Sequence, residues 1–305
     1  MRFFNLSTVA FISLFIISCG TQDNIGTDPL FDVVPNISSC YAGTLSEQEK
    51  TKVLTYVNNI RKTHGLPAVE YNAKKDIQQQ RAALIGAANA ELNHYPSEDD
   101  HCYTSDGYQG CSYSNLSLWG SSESDWPQSE IHINNWMTEL NSTSIGHRRW
   151  ILDPFLKYIT FGRVIGTPKR GEYKYVSSAA MLIKHDEEAD ISNLDVEYIA
   201  YPQGNNYSAV LFSPNAFLSF SVLADNVTKN NNSSVDFSNS EITVLVGAQE
   251  LIVKEVSYDN QGYGLPNNIQ WKVEGLAKSV IYEVKISNVK VGGVAKDFEY
   301  TFSYK

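Results

Sequence analysis

The hydrophobic pattern of this chain changes from a helical to a strand-like period after about residue 155 and changes in character again past residue 186, and these changes limit the folds open to it. From Ser46 to about residue 152, apolar residues recur three or four positions apart, which is the spacing of amphipathic helices. Past Asp186 the apolar residues form short β-branched and aromatic runs separated by Asn, Gly and Ser, as in strands joined by turns. The 305-residue chain is therefore expected to have an α+β fold with an all-β second half.

The first region is predicted to contain four helices and two strands. Residues Ser46 to Glu49 have the form of a capping box, and the helix that they start is expected to end at Gly65. The other helices are predicted over residues 72–93, 126–139 and 147–151, and the strand-like runs lie within residues 156–184.

The second region contains seven strand-like segments with no helical stretch between them, which indicates a β-sandwich of the immunoglobulin or fibronectin type. The segments cover residues 197–200, 217–222, 241–246, 251–256, 269–273, 281–286 and 298–303. Metal-binding, nucleophile and phosphate-binding motifs are absent from this part of the sequence, so the expected role is that of a spacer or adhesion module. We place one domain at residues 45–190 and the sandwich at residues 191–305.

The amino terminus has the form of an export signal. Met1 and Arg2 precede a mostly apolar, uncharged run, residues 3–17, which is too short to span a bilayer comfortably. The residues around Cys19 resemble a bacterial lipobox, in which the chain is cut before a cysteine that is then acylated. This resemblance predicts a lipoprotein signal peptide over residues 1–18, lipidation of Cys19, and export to the bacterial cell envelope, with an anchor in the outer membrane or at the cell surface. An ordinary signal peptide with a free Cys19 is the alternative.

The residues after Cys19 predict a flexible tether and one disulfide. Residues 19–44 are polar and broken by prolines, which is typical of a linker. An exported chain meets an oxidising environment, so a disulfide among the remaining cysteines is expected. Cys102 and Cys111 enclose a loop rich in turn-forming residues and are the predicted pair, while a bridge from Cys40 to either of them stays open.

The charge of the chain excludes one class of partner. The formal net charge is −10, and no basic stripe occurs anywhere in the sequence. Such a surface repels phosphate backbones, so nucleic acid is not an expected partner. The partners that remain are a membrane, reached through the lipid anchor, and a lipid, peptide or protein ligand.

Six short motifs of the first region follow one another along the chain. They are Asn58–Arg61, Gly65–Pro67, Leu92–His94, Ser114–Leu116, Trp136–Glu139 and Gly146–Leu152. Their order resembles that of the CAP superfamily, which contains the cysteine-rich secretory proteins, antigen-5 venom allergens and plant pathogenesis-related proteins, with many bacterial members, and the resemblance covers residues 45–185. It implies an α-β-α sandwich whose cleft holds two histidines and two acidic residues, and in some members this set coordinates a divalent metal ion.

The resemblance assigns the cleft to His94, Ser114, Glu139 and His147. His94 and His147 match the two family histidines, and Glu139 matches the acid of the Trp-x-x-Glu segment. Ser114 stands where the family has its other acid, and a neutral hydroxyl is a poor ligand for such a cation. His94, His147 and Glu139 remain as a candidate set for zinc or another divalent cation with an open fourth position. The alternative is that these three side chains hydrogen-bond to each other and buttress the cleft.

Two classes of function are consistent with these residues. The resemblance favours a non-catalytic binding or interaction protein, because many family members have no assigned enzymatic activity and Ser114 weakens the acidic set. The alternative is a divalent-metal-dependent hydrolase that uses His94, His147 and Glu139. A nucleophilic role for Ser114 is disfavoured, since the chain has no Gly-x-Ser-x-Gly elbow.

Other polar residues of the first region are expected to serve the structure. His132 precedes Trp136 by one helical turn and is interpreted as a packing or surface residue. Arg148 and Arg149 are expected to pair with local carboxylates. His64 is expected to be exposed.

Overall fold

The computed structural model describes residues 30–140 and 142–305. Within these ranges the helices are α1 (Glu47–Thr63), α2 (Asp76–Asn89), α3 (Ser105–Ser112), α4 (Ser129–Thr138) and α5 (Gly146–Ile151). The strands are β1 (Phe31–Val33), β2 (Thr44–Leu45), β3 (Glu70–Tyr71), β4 (Ser114–Ser121), β5 (Tyr158–Gly166), β6 (Tyr175–Leu182), β7 (Tyr198–Tyr201), β8 (Gly204–Tyr207), β9 (Leu218–Val222), β10 (Glu241–Val246), β11 (Gln249–Glu250), β12 (Val253–Asp259), β13 (Asn268–Val273), β14 (Tyr282–Val291) and β15 (Val294–Tyr304). The predicted α+β fold is confirmed, whereas the predicted signal peptide and Cys19 lie outside the described residues.

The first region is a three-layer α-β-α sandwich. Its central sheet has the strand order β3-β5-β6-β4, with β3 parallel to β5 and the other pairs antiparallel. Strand β6 shows why the sheet is covered on both faces, since its side chains alternate between two cores. Ala179 and Met181 pack in the core that contains α1 and α4, and Val176 and Ala180 pack in the core that contains α2.

Helix α1 follows the sequence prediction, and α2 is shorter than predicted. The Ser46 hydroxyl accepts a hydrogen bond from the Glu49 N–H at 3.1 Å and so caps α1. Before α2, residues 73–75 form a separate turn of 3₁₀ helix, and α2 itself stops where Ala90 adopts a left-handed conformation with φ of 50°. Helix α2 lies so close to β5 that a Cβ atom on Gly162 would come within 2.2 Å of the Gln79 backbone carbon. The absence of a side chain at Gly162 thus sets the position of α2 on the sheet.

The second region is a two-sheet β-sandwich. One sheet has the order β11-β10-β14-β15-β8 and the other the order β12-β13-β9-β7. The inner faces bury large aromatic side chains such as Phe220, Trp271 and Phe302. The same apolar cluster continues into the first region, where it includes Val57 of α1. The domain boundary between residues 190 and 191 stays a prediction, and a continuous core runs across it.

The amino-terminal residues that the structure describes are packed against the first region. Strand β1 pairs with β2, and Phe31 and Leu45 face each other with 1% of each residue exposed. Ile37, between them in sequence, packs in the core around α2. The expected tether therefore does not extend to residue 44, because its apolar residues are buried by the neighbouring layers.

The predicted Cys102–Cys111 disulfide is wrong. Cys40 is bonded to Cys102, and Cys111 is a buried free thiol. The sequence predicts a loop between Cys102 and Cys111, but residues 105–112 form α3, which is capped by the Thr104 hydroxyl. This helix turns Cys111 towards α2, where its Sγ lies 3.7 Å from the Ala82 carbonyl oxygen. Burial raises the pKa of Cys111 to about 12, so this thiol stays protonated.

The Cys40–Cys102 disulfide suggests an extracytoplasmic protein, because such bonds persist in oxidising compartments. Across residues 30–140 and 142–305, no helix is long and apolar enough to cross a membrane.

Candidate functional site

The structure brings two of the predicted cleft residues, Glu139 and His147, into direct contact. Glu139 follows the last residue of α4 in a left-handed conformation with φ of 44°, which turns the chain back towards α5. Its carboxylate accepts a hydrogen bond from the His147 Nδ1–H at 2.9 Å. The same carboxylate accepts the backbone N–H groups of His147 and Arg148, each at 3.2 Å. The Glu139 side chain is 3% exposed.

The two backbone bonds give Glu139 a role in building the fold. The first N–H groups of a helix have no acceptor within the helix and need one from outside. Ile145, at the position that precedes α5, has no side-chain acceptor to offer. The Glu139 carboxylate supplies the acceptor and places a negative charge at the positive end of the helix. Glu139 therefore holds the start of α5 in place.

His147 is the more accessible member of the pair, with 35% of its side chain exposed. Because Nδ1 donates to Glu139, the neutral ring has an unprotonated Nε2 that can accept a hydrogen bond or bind a ligand. The backbone of His147 is held as well, since the Asn115 Nδ2 donates to its carbonyl oxygen at 3.0 Å. In the part of the chain that the structure describes, no hydroxyl or thiol hydrogen-bonds to the His147 ring. The pair thus has an orienting acid but no nucleophile beside it.

The other two predicted cleft residues have different partners. The Ser114 hydroxyl, buried at the start of β4, donates to the Gln79 Oε1 at 2.7 Å. His94 is exposed, and its Nδ1 donates to the Cys111 carbonyl oxygen at 2.9 Å. Both bonds hold the chain near α2 and α3, and neither side chain joins Glu139 and His147.

These contacts do not fit a metal centre. Among residues 30–140 and 142–305, no three His, Cys, Asp or Glu side chains are grouped so that they could hold a metal ion. The Glu139 oxygens already accept three N–H donors. The predicted two-histidine, one-carboxylate set for zinc is therefore not assembled.

Two arginines of α5 play a part that the sequence analysis missed. Arg148 is fully buried, its Nη1 donates to the Met137 carbonyl oxygen at 3.2 Å, and its guanidinium lies 3.7 Å from the centre of the Tyr201 ring. The Arg149 Nη1 lies 2.8 Å from the Asp259 Oδ1 on β12. The expected pairing with local carboxylates is wrong, because the carboxylate that pairs with Arg149 and the ring beside Arg148 both come from the sandwich. Arg148 and Tyr201 are 53 positions apart and Arg149 and Asp259 are 110 apart, and no local sequence pattern signals contacts over such separations.

Two further histidines are structural. His64 is 1% exposed, which corrects the expected exposure, and its Nε2 lies 3.0 Å from the Tyr207 hydroxyl. His132 is buried between the Ser117 and Ser177 hydroxyls, at 2.8 and 2.9 Å from its two ring nitrogens. Burial lowers the pKa of each of these histidines to about 3, so both are neutral at physiological pH.

Comparison with known proteins identifies the family of the first region. Residues 54–178, from within α1 to within β6, match the family model of the cysteine-rich secretory protein family, CAP. The match includes all four predicted cleft residues. The first region of the chain is a CAP-superfamily domain, and the resemblance inferred from the motifs is confirmed. No curated protein matches the chain.

Proposed function

We propose that this chain is an exported, lipid-anchored protein of the bacterial cell envelope whose CAP domain binds a ligand or a partner protein without catalysing a reaction. The observation that carries the proposal is the use of the Glu139 carboxylate. Its oxygens accept hydrogen bonds from the start of α5 and from His147, so the acid is committed to the structure. The half-exposed His147 ring is left as a polar group that a bound molecule can contact.

The hydrolase alternative lacks support from these contacts. Hydrolysis assisted by a metal ion needs an open coordination site with several protein ligands, and among the described residues no three His, Cys, Asp or Glu side chains are grouped to provide one. Hydrolysis through a covalent intermediate needs a nucleophile within hydrogen-bond reach of the histidine. Ser114 donates to Gln79 instead.

The proposed location rests on two parts of the chain. The apolar run over residues 3–17 and the lipobox-like residues around Cys19 favour export and lipid anchoring. The Cys40–Cys102 disulfide favours an oxidising compartment.

A zinc titration and a crosslinking experiment test the proposed role. Isothermal titration of the full chain with zinc chloride at pH 7 should show no stoichiometric uptake. Uptake of one zinc ion that disappears in both His94→Ala and His147→Ala would overturn the proposal and restore the hydrolase.

The binding role is tested by crosslinking. A photo-crosslinking residue in place of Ser144, which is exposed just before α5, should give a discrete adduct in cells. The same residue at Glu241, on the sandwich, is the control. Equal adducts at both positions, or none at Ser144, would contradict a binding role for the cleft.

A further inference from the structure

A groove of about 690 Å³ lies at the junction of the CAP domain and the sandwich. This volume is within the range of ligand-binding clefts, about 300–1,000 Å³. None of the four predicted cleft residues lines it. Its lining comes from the end of α1, from the segments around β7 and the start of β8, and from β14 and β15, including residues 64–65, 195–198, 203–204, 283–285 and 299–301.

The groove is acidic. Asp195, Glu197, Glu283 and Glu299 line it together with a single lysine, Lys285. The Lys285 Nζ lies 2.7 Å from the Glu299 Oε1, and within the described residues the other three carboxylates have no ion pair. The neutral ring of His64 adds no positive charge. The groove therefore attracts a cationic ligand.

One side of the groove is an open edge of a β-sheet. Strand β15 pairs with β14 along one edge, and on its other edge it pairs with β8 only at Phe302 and Tyr304. Across the described chain, residues 294–301 have no strand partner on that second edge. The Tyr198 hydroxyl, which also lines the groove, donates to the Glu299 carbonyl oxygen at 3.4 Å. This contact shows that backbone polar groups of the open edge face the groove.

We propose that this groove binds an extended, lysine- or arginine-rich segment of a partner protein, which adds to the sheet as a strand along β15. Strand addition satisfies the open edge, and the side chains of the added strand alternate between its two faces. Basic residues at every second position would lie beside Glu299 and near Glu283, which are exposed on one face of the β14–β15 pair. A second copy of this chain is disfavoured as the occupant, because each copy has a net charge of −10. The proposal concerns a surface separate from the Glu139–His147 pair and stands independently of it.

The test uses a fluorescein-labelled hexapeptide, KTKVKT, and fluorescence anisotropy with the full chain. The peptide should bind saturably, and ETEVET should not bind. Glu197→Gln combined with Glu283→Gln should weaken binding about tenfold, since two exposed ion pairs are lost. Glu241→Gln combined with Glu250→Gln removes the same charge from exposed positions outside the groove, and binding should not change. No saturable binding by the wild type, or equal weakening in the two double variants, would overturn the proposal.

A proline variant tests the strand addition itself. The N–H and C=O groups of one strand residue point to the same edge of the strand, and alternate residues share an edge. The Glu299 carbonyl oxygen faces the groove, so the Thr301 N–H faces it too. Thr301→Pro removes this donor at an open edge, where proline is tolerated. The variant should keep the wild-type circular dichroism spectrum and lose at least tenfold in affinity for KTKVKT. Unchanged affinity would show that the peptide does not pair with β15, and unfolding of the variant would show that this edge is not open.

Discussion

Replacing Glu139 by alanine tests whether its carboxylate belongs to the structure or to a reaction. The change removes the acceptor of two backbone N–H groups at the start of α5 and the hydrogen-bond acceptor of the His147 ring. Hydrogen bonds to a charged group contribute about 1.5–3 kcal/mol each. The His147 pair adds less than about 1 kcal/mol, because its ring is 35% exposed and screened by water. Both backbone bonds are long at 3.2 Å, so the lower end of that range applies, and we expect the free energy of unfolding to fall by about 3–4 kcal/mol.

The measurement is urea unfolding at pH 7, followed by the fluorescence of the tryptophans. Glu139→Gln keeps one oxygen acceptor and should lose about half as much free energy. His147→Ala removes only the exposed partner and should cost about 1 kcal/mol or less. Glu241→Ala, a matched change on an exposed strand position, should stay within about 0.5 kcal/mol of the wild type.

A loss of less than about 1 kcal/mol for Glu139→Ala would refute this reasoning. The start of α5 would then be held by other contacts, and the carboxylate would be available for proton transfer or metal binding.

Three further predictions concern the disulfide, the buried histidines and the amino terminus. Cys40→Ser combined with Cys102→Ser should lower the free energy of unfolding, measured in urea, by about 4 kcal/mol, because the disulfide closes a loop across 62 positions. Equal stability of the variant and the oxidised wild type would contradict this. Lowering the pH from 7 to 5 should reduce the free energy of unfolding by about 2 kcal/mol for each of His64 and His132. The unfolded rings take up protons below about pH 6.5, whereas the folded rings have pKa values of about 3 and stay neutral. His132→Gln should remove about half of this pH dependence, and a flat pH profile for the wild type would show that these rings are accessible when folded. Mass spectrometry of the protein from its native membrane should find a chain that starts at an acylated Cys19, and an unmodified residue there would rule out the lipid anchor.

Much of the fold could be predicted because it depends on short stretches of sequence. The capping box at Ser46 and the helical spacing after it define α1 from about a dozen residues. The seven predicted strand segments of the second region correspond to observed strands because β-branched and aromatic runs between turn residues have few other stable conformations. Two short strands of the second region, β8 and β11, were not predicted. Residues 204–207 consist mainly of turn-forming types, and their strand conformation depends on pairing with β15.

The candidate site could be predicted only in part. The family motifs identified Glu139 and His147, which the structure places 2.9 Å apart. They also suggested His94 and Ser114 as companions, and the side chains of both are bonded to neighbours around α2 and α3. A motif records which residue types occur in order, but the direction of a side chain depends on what packs around it.

The sequence by itself determined most of the helices and strands, the CAP-type motifs and the acidic charge, because each is a property of neighbouring residues. The tertiary structure decided the Cys40–Cys102 pairing, the stacking of Arg148 on Tyr201 and the acidic groove beside β15. Each of these joins segments that are distant along the chain, and their contact depends on how whole layers pack. Packing is settled by the burial of one continuous core across both regions, which no local pattern of residues encodes.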